Sequence, residues 1–396
     1  MPEPAAEQVP ATGPIASGVH RNAGIDLLRG LAIVFVLLNH LGLPMRIPLK
    51  ASALADMLPV RLLQALNYNG YEAVFVFFVI SGFLIAGNAL QRWGSLARIE
   101  LKAFYARRFA RIVPCLLALL AVLAVLHGLG TQDYAIHRSG QSLGGAVLAA
   151  LGLHLNWYEG RTGYLPGSWD VLWSLSIEEV FYLGFPLACL LVRRTRVLVP
   201  LLLALALSLP WTRAALEGNG IWQEKAYLPG MAAIATGVLG ALWLAGSRLS
   251  PRSCRVLRWA GALGLAGATL GGHWLWPLLH EGVMLLLTGS TLALLAAFRI
   301  EPPRVPAPLR WLCSWGRLSY EIYLSHMFVV FAITRMYRWS GADARTGFLW
   351  YLPAFVLCWA LGALVMRCWS MPCERWLRDR WLRPATIPVD VAYPAR

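Results

Sequence analysis

Apolar residues along this chain fall into runs long enough to cross a bilayer, separated by short polar islands. Ten such runs lie at about 26–44, 71–90, 108–128, 170–192, 197–213, 228–246, 259–276, 281–298, 316–338 and 349–368. About 20 mostly apolar residues cover the hydrocarbon core. An eleventh apolar piece, 142–155, has only 14 residues. The pattern predicts an all-α polytopic membrane bundle of about ten transmembrane helices.

Charge decides between ten crossings and eleven. With ten spans and the N-terminus inside, the inner segments hold 25 Lys and Arg and the outer segments 10. An extra crossing at 142–155 would flip every later loop and place Arg193, Arg194 and Arg196 outside. Lys and Arg mark cytoplasmic loops, so 142–155 reads as re-entrant or interfacial, and both termini as cytoplasmic.

Composition supports the membrane reading. Hydrophobic residues make up 58% and charged residues 14%, with a mean hydropathy of +0.57. Soluble domains run near 45–50% apolar and about 25% charged. The net charge of +15 comes from 32 Arg and 3 Lys scattered between apolar runs. A nucleic-acid binder would gather that charge on one solvated face. Residues 1–21, rich in Pro, Ala and Glu, have no apolar stretch and read as a flexible cytoplasmic tail rather than a signal peptide. Residues 22–380 form the transmembrane domain and 381–396 a second cytoplasmic tail. Seven cysteines without a C-x-x-C pair argue against a disulfide framework or a zinc site, so no metal is expected.

Ionisable groups inside spans are costly, and each is a functional candidate. Arg29 and His40 stand eleven positions apart in the first run. That spacing is three helical turns plus about 20°, so both face one side at depths differing by about 16 Å. Asp26 precedes Arg29 by three residues. Ser81-Gly82 in the second run permits close helix packing. Arg107, Arg108 and Arg111 share a helical face by their i, i+3 and i+4 spacings and suit phosphate binding, because guanidinium is a rigid multi-donor fork. The fourth run carries Trp173, Ser174, Glu178 and Glu179. Adjacent glutamates point about 100° apart and cannot serve one site alike. Tyr320, Tyr323 and His326 follow one another at i, i+3 in the ninth run. The histidines and Glu178 then fall in the middle or outer half, with the four arginines on the inner side. This asymmetry points to an anionic cytoplasmic molecule gripped from below, its reacting end at the depth of His40.

Taken together, Arg29 with His40, Phe77-Phe78-Val79-Ile80-Ser81-Gly82-Phe83, Arg107-Arg108 with Arg111 and Pro114, Trp173-Ser174-Leu175-Ser176-Ile177-Glu178-Glu179 with Tyr182, and Ser319-Tyr320 with Tyr323 and His326 resemble, in order, the motifs of the acyltransferase-3 family. That family comprises bacterial integral membrane O-acyltransferases of the polysaccharide acetylase type. The resemblance covers about 22–380. It departs at Phe75, where many members carry an acidic residue, and the fused esterase-like domain that some members carry is not expected here.

The resemblance implies transfer of an acyl group, usually acetyl from acetyl-CoA, to a carbohydrate hydroxyl at the bacterial inner membrane. On that basis Arg29, Arg107, Arg108 and Arg111 are assigned to the CoA phosphates. His40 is assigned as base or nucleophile, Glu178 as its partner, and Tyr323 and His326 to the acceptor or the oxyanion. Asp26, Ser81, Gly82, Trp173, Ser174 and Glu179 are expected to line the site. The partners expected are the bilayer and a carbohydrate, with no nucleic acid. A secondary transporter or flippase is the rival reading. Transporters often carry internal repeats, and none is visible here.

Overall fold

A computed structural model describes residues 22–247 and 249–382 of the protein. The tail expected at 1–21, and residues 383–396 of the one expected at 381–396, lie outside the described residues. The described residues form helices joined by loops, with no strand among them. Eleven helices have 12 residues or more: α1 (Ala23–Gly42), α2 (Gly70–Trp93), α3 (Leu101–Gly128), α4 (Trp173–Val192), α5 (Thr195–Leu207), α6 (Tyr227–Ala245), α7 (Pro251–Leu270), α8 (Val283–Ile300), α9 (Ser319–Trp339), α10 (Tyr351–Val365) and α11 (Met371–Leu382). The first ten match the ten apolar runs in order. Seven helical segments of the described chain are long and apolar enough to cross a membrane. α5 is apolar but only 13 residues long. α9 interrupts its apolar face with Glu321, His326, Arg335 and Arg338. Trp381 and Leu382, the first two residues of the tail expected at 381–396, belong to α11.

The piece at 142–155 folds as a nine-residue helix, Leu143–Leu151, followed after a break by another, Leu155–Thr162. Nine residues rise only about 14 Å, too short for a hydrocarbon core of about 30 Å.

Local chemistry sets the helix starts. The Asn22 side chain accepts from the backbone N–H of Gly24 and Ile25, at 2.9 and 3.2 Å, and so caps α1. Its amide donates to the Phe298 carbonyl at 2.6 Å, tying that cap to the end of α8.

Small residues set the helix crossings. α2 packs most extensively against α6. A Cβ on Gly82 would lie 1.9 Å from the Ile234 carbonyl oxygen, and one on Gly237 would lie 2.0 Å from that of Val79. The Ser81-Gly82 pair is thus a backbone-to-backbone crossing, as its sequence suggests. α1 crosses the short helix Arg310–Arg317 in the same way, through Gly30 and Gly316. α1 and α2 also pack side by side, and a Cβ on Gly70 at the start of α2 would lie 2.5 Å from the Asn39 side chain of α1. A π-helical turn, Met366–Ser370, joins α10 to α11 and lets the chain run on beneath α3.

Candidate functional site

One large cavity, about 680 Å³, opens between α1, α2, α3, α4, α9 and α11. Six arginines line it: Arg29, Arg92, Arg107, Arg108, Arg111 and Arg378. Among the described residues only two carboxylates do so, Glu178 and Glu374. An excess of guanidinium in a half-enclosed space favours an anionic occupant.

The arginines differ in how their charge is used. Arg108 lies 3.7 Å over the Tyr182 ring and 3.9 Å from a Glu179 oxygen. Arg111 stands 3.3 Å from both Glu321 and Glu374. Glu321 is fully buried and also accepts from the Ser370 hydroxyl at 2.7 Å. Arg108 and Arg111 therefore face carboxylates of the protein itself, which dilutes the phosphate role that their spacing suggests. Arg29 lines the cavity and is partnered, as is the buried Asp26 one turn earlier.

At the inner end of the cavity, Glu178 accepts from the Ser81 hydroxyl at 2.9 Å and from the Tyr182 hydroxyl at 3.4 Å. Sequence reasoning paired Glu178 with His40. The hydrogen bonds instead join α4 to α2, and the ring against His40 is that of His326. Their centroids are 5.0 Å apart at 47°. His326 Nδ1 lies 2.8 Å from the Tyr323 carbonyl. A carbonyl only accepts, so Nδ1 carries the proton and Nε2 keeps its lone pair. That Nε2 and the Nδ1 of His40 are both buried with no hydrogen-bond partner among the described residues.

Between cavity and histidines stand two hydroxyls. Tyr323 Oη is 2.7 Å from Ser174 Oγ and donates to the Val171 carbonyl at 3.0 Å. The Tyr323 ring centroid is 5.9 Å from that of His326. Ser174 and Tyr323 line the cavity, whereas His40 and His326 do not. Trp173 points the other way, onto Tyr71 and Phe78.

On the far side of the histidines, sequence reasoning missed a charged group. Lys225 is buried, donates to Glu159 at 2.7 Å and pairs with Asp170. Glu159 is fully buried. Burial, reinforced by Asp170, pushes its carboxyl well above the usual range against the pull of Lys225. Being one of three lysines in an arginine-rich chain was the available signal. Arg46 was also missed; it donates to the His40 carbonyl and lies over the Phe331 ring.

This is a helical membrane bundle with a basic cavity leading towards a buried pair of neutral-capable bases. Its sequence settles the class: the acyltransferase domain family profile matches residues 22–367, and the chain belongs to that family. It is a multi-pass membrane protein. Among relatives, it is 26% identical to the peptidoglycan O-acetyltransferase OatA of Listeria monocytogenes, over 76% of this chain and 48% of that one. It is 30% identical to a putative O-acetyltransferase of Staphylococcus aureus strain COL, over 41% of this chain and 24% of that one. It is 28% identical to O-acetyltransferase OatA of S. aureus strain NCTC 8325, with the same coverage. The chain thus spans about half, or less, of the length of these curated relatives. No solved structure matches it.

Proposed function

We propose that this protein moves an acetyl group from acetyl-CoA to a hydroxyl of a cell-surface or secreted carbohydrate, at the bacterial inner membrane. The observation that carries this reading is the six-arginine cavity ending at Tyr323, with His40 and His326 directly behind it. The names of the relatives, one of which acts on peptidoglycan, support a carbohydrate acceptor.

The residues divide the work. Arginines at the mouth hold the phosphates of the donor. The thioester reaches the depth of Ser174 and Tyr323, whose hydroxyls turn from each other and from the Val171 carbonyl to donate to its carbonyl oxygen as negative charge builds there. His40 takes the proton from the acceptor hydroxyl, and the oxygen attacks the carbonyl carbon. The C–S bond breaks, and the departing thiolate receives the proton from His40. His326, whose ring packs against His40 and whose Nε2 is bare, accepts a hydrogen bond from the His40 imidazolium. It thus does the orienting work that a carboxylate does in a serine-protease triad. Glu178 holds α2 against α4 and so sets the position of Ser174.

Purified protein in liposomes, given acetyl-CoA and glycan fragments, tests this reading. Release of free CoA that depends on a carbohydrate acceptor supports it. Movement of a solute across the bilayer without acetyl transfer sinks it in favour of a transporter.

A further inference from the structure

The mouth of the cavity carries chemistry that the motifs do not contain. Arg92, at the end of α2, and Arg378, on α11, line it beside Arg107. Both are exposed. Arg92 and Arg378 are the like charges that Arg107 feels most strongly, with Glu100 as the opposing one. The Nε of Arg107 is buried and has no hydrogen-bond partner among the described residues. Arg378 leans on Glu374 at 2.8 Å, but that carboxylate is shared with Arg111. Three guanidiniums from three helices therefore converge with Glu100 and a Glu374 already shared with Arg111 to offset them. Convergent like charges are unfavourable until an anion joins them.

An aromatic ring lies next to them. Trp93 lines the same mouth, adjoining Arg92 in sequence and within 6.0 Å of its guanidinium. Phe104 lies behind it, with ring centroids 6.5 Å apart. A half-exposed indole beside arginines offers a stacking face for a heteroaromatic base, a combination recurrent in nucleotide recognition.

We infer that Arg92, Trp93, Arg107 and Arg378 form a port for a phosphorylated nucleotide, with phosphates on the three arginines and the base on Trp93. Arg108 and Arg111, held by their own carboxylates, serve as framework. The inference rests on the donor reading above and deepens it. It places the nucleotide end of acetyl-CoA at the rim and makes α11, which lies beyond the residues 22–367 matched by the family profile, part of the donor site.

The test uses full-length protein in detergent and two measurements. The first is equilibrium binding of adenosine 3′,5′-bisphosphate, which carries the CoA nucleotide without its thiol arm. The double variant Arg92→Gln with Arg378→Gln should lose at least about tenfold in affinity, the scale of one charge-assisted phosphate contact. Arg92→Lys with Arg378→Lys should recover part of the loss, and Arg194→Gln, an exposed arginine outside the cavity, should lose none. The second is the KM for acetyl-CoA against acetyl-pantetheine, which lacks the nucleotide. The double variant should raise the first and leave the second unchanged. Wild-type affinity for the bisphosphate in the double variant, or an equal rise in both KM values, overturns the port. Nucleotide binding without acetyl transfer from acetyl-CoA would instead retain the port and overturn the donor reading.

Discussion

His40 and His326 face each other across α1 and α9 with ring centroids 5.0 Å apart, each leaving a buried ring nitrogen unpaired. Two bare imidazole nitrogens inside a membrane bundle cost free energy that a merely structural pair would avoid by bonding to hydroxyls or carbonyls. Replacing His40 by Ala should abolish acetyl transfer, by about 10²-fold or more, without changing membrane insertion. Product acetylation at the wild-type rate, measured by mass spectrometry of the glycan, would remove His40 from the mechanism. Replacing His326 by Gln should lower kcat and leave the KM for the donor unchanged.

Tyr323 separates two roles for one hydroxyl. In Tyr323→Phe the ring stays against His326, while the bonds to Ser174 and the Val171 carbonyl are lost. An oxyanion donor of this kind is worth about 10²-fold in kcat. A variant with full kcat would reduce Tyr323 to packing.

Arg107 and Arg111 should behave oppositely despite sharing a motif. Arg111→Ala leaves Glu321, fully buried, without its cation, and breaking a buried pair costs about 3–5 kcal/mol. Arg107→Ala strands no such partner. Thermal unfolding in detergent should therefore fall markedly for Arg111→Ala and little for Arg107→Ala, while CoA binding weakens in the latter.

Lys225 ties the short helix Leu155–Thr162 to the start of α6 through Glu159. Lys225→Met should destabilise the protein by about 3–5 kcal/mol. Adding Glu159→Gln should restore part of that, since one of the two carboxylates left without a cation is then removed. Additive losses in the double variant would show that the two residues act independently.

Gly82→Ala should disrupt the α2–α6 crossing, because its Cβ would meet a backbone oxygen at 1.9 Å. Gly87→Ala, with nothing within 4 Å, is the matched control on the same helix. The yield of folded protein in membranes, read by fluorescence size-exclusion, should drop for the first variant only.

Helix positions were legible because a bilayer imposes one length and one polarity on each span. The cavity-lining arginines of the motif were legible from helical period alone. Pairings between helices were not. Nothing in the spacing of α4 could show that Glu178 turns to Ser81 and Tyr182, or that His326 rather than a carboxylate meets His40. Those depend on which helices touch, and Gly82 and Gly237 decide that by letting two backbones meet. Arg92 and Arg378 escaped notice because each is an ordinary-looking charge at a helix end, and only folding brings them beside Arg107.

The Ser174–Tyr323 hydrogen bond has a consequence for the membrane itself. The cavity of about 680 Å³ is lined by these two side chains and not by His40 or His326. If it ran through to the histidines and on to Lys225, water would form a continuous thread, and protons would leak down it. Water arriving from beyond would also hydrolyse the donor without any acceptor. Two hydroxyls closing on each other and on the Val171 carbonyl make the seal against both losses. A Ser174→Gly, Tyr323→Leu protein should therefore betray itself by dissipating a pH gradient in liposomes before any glycan is added.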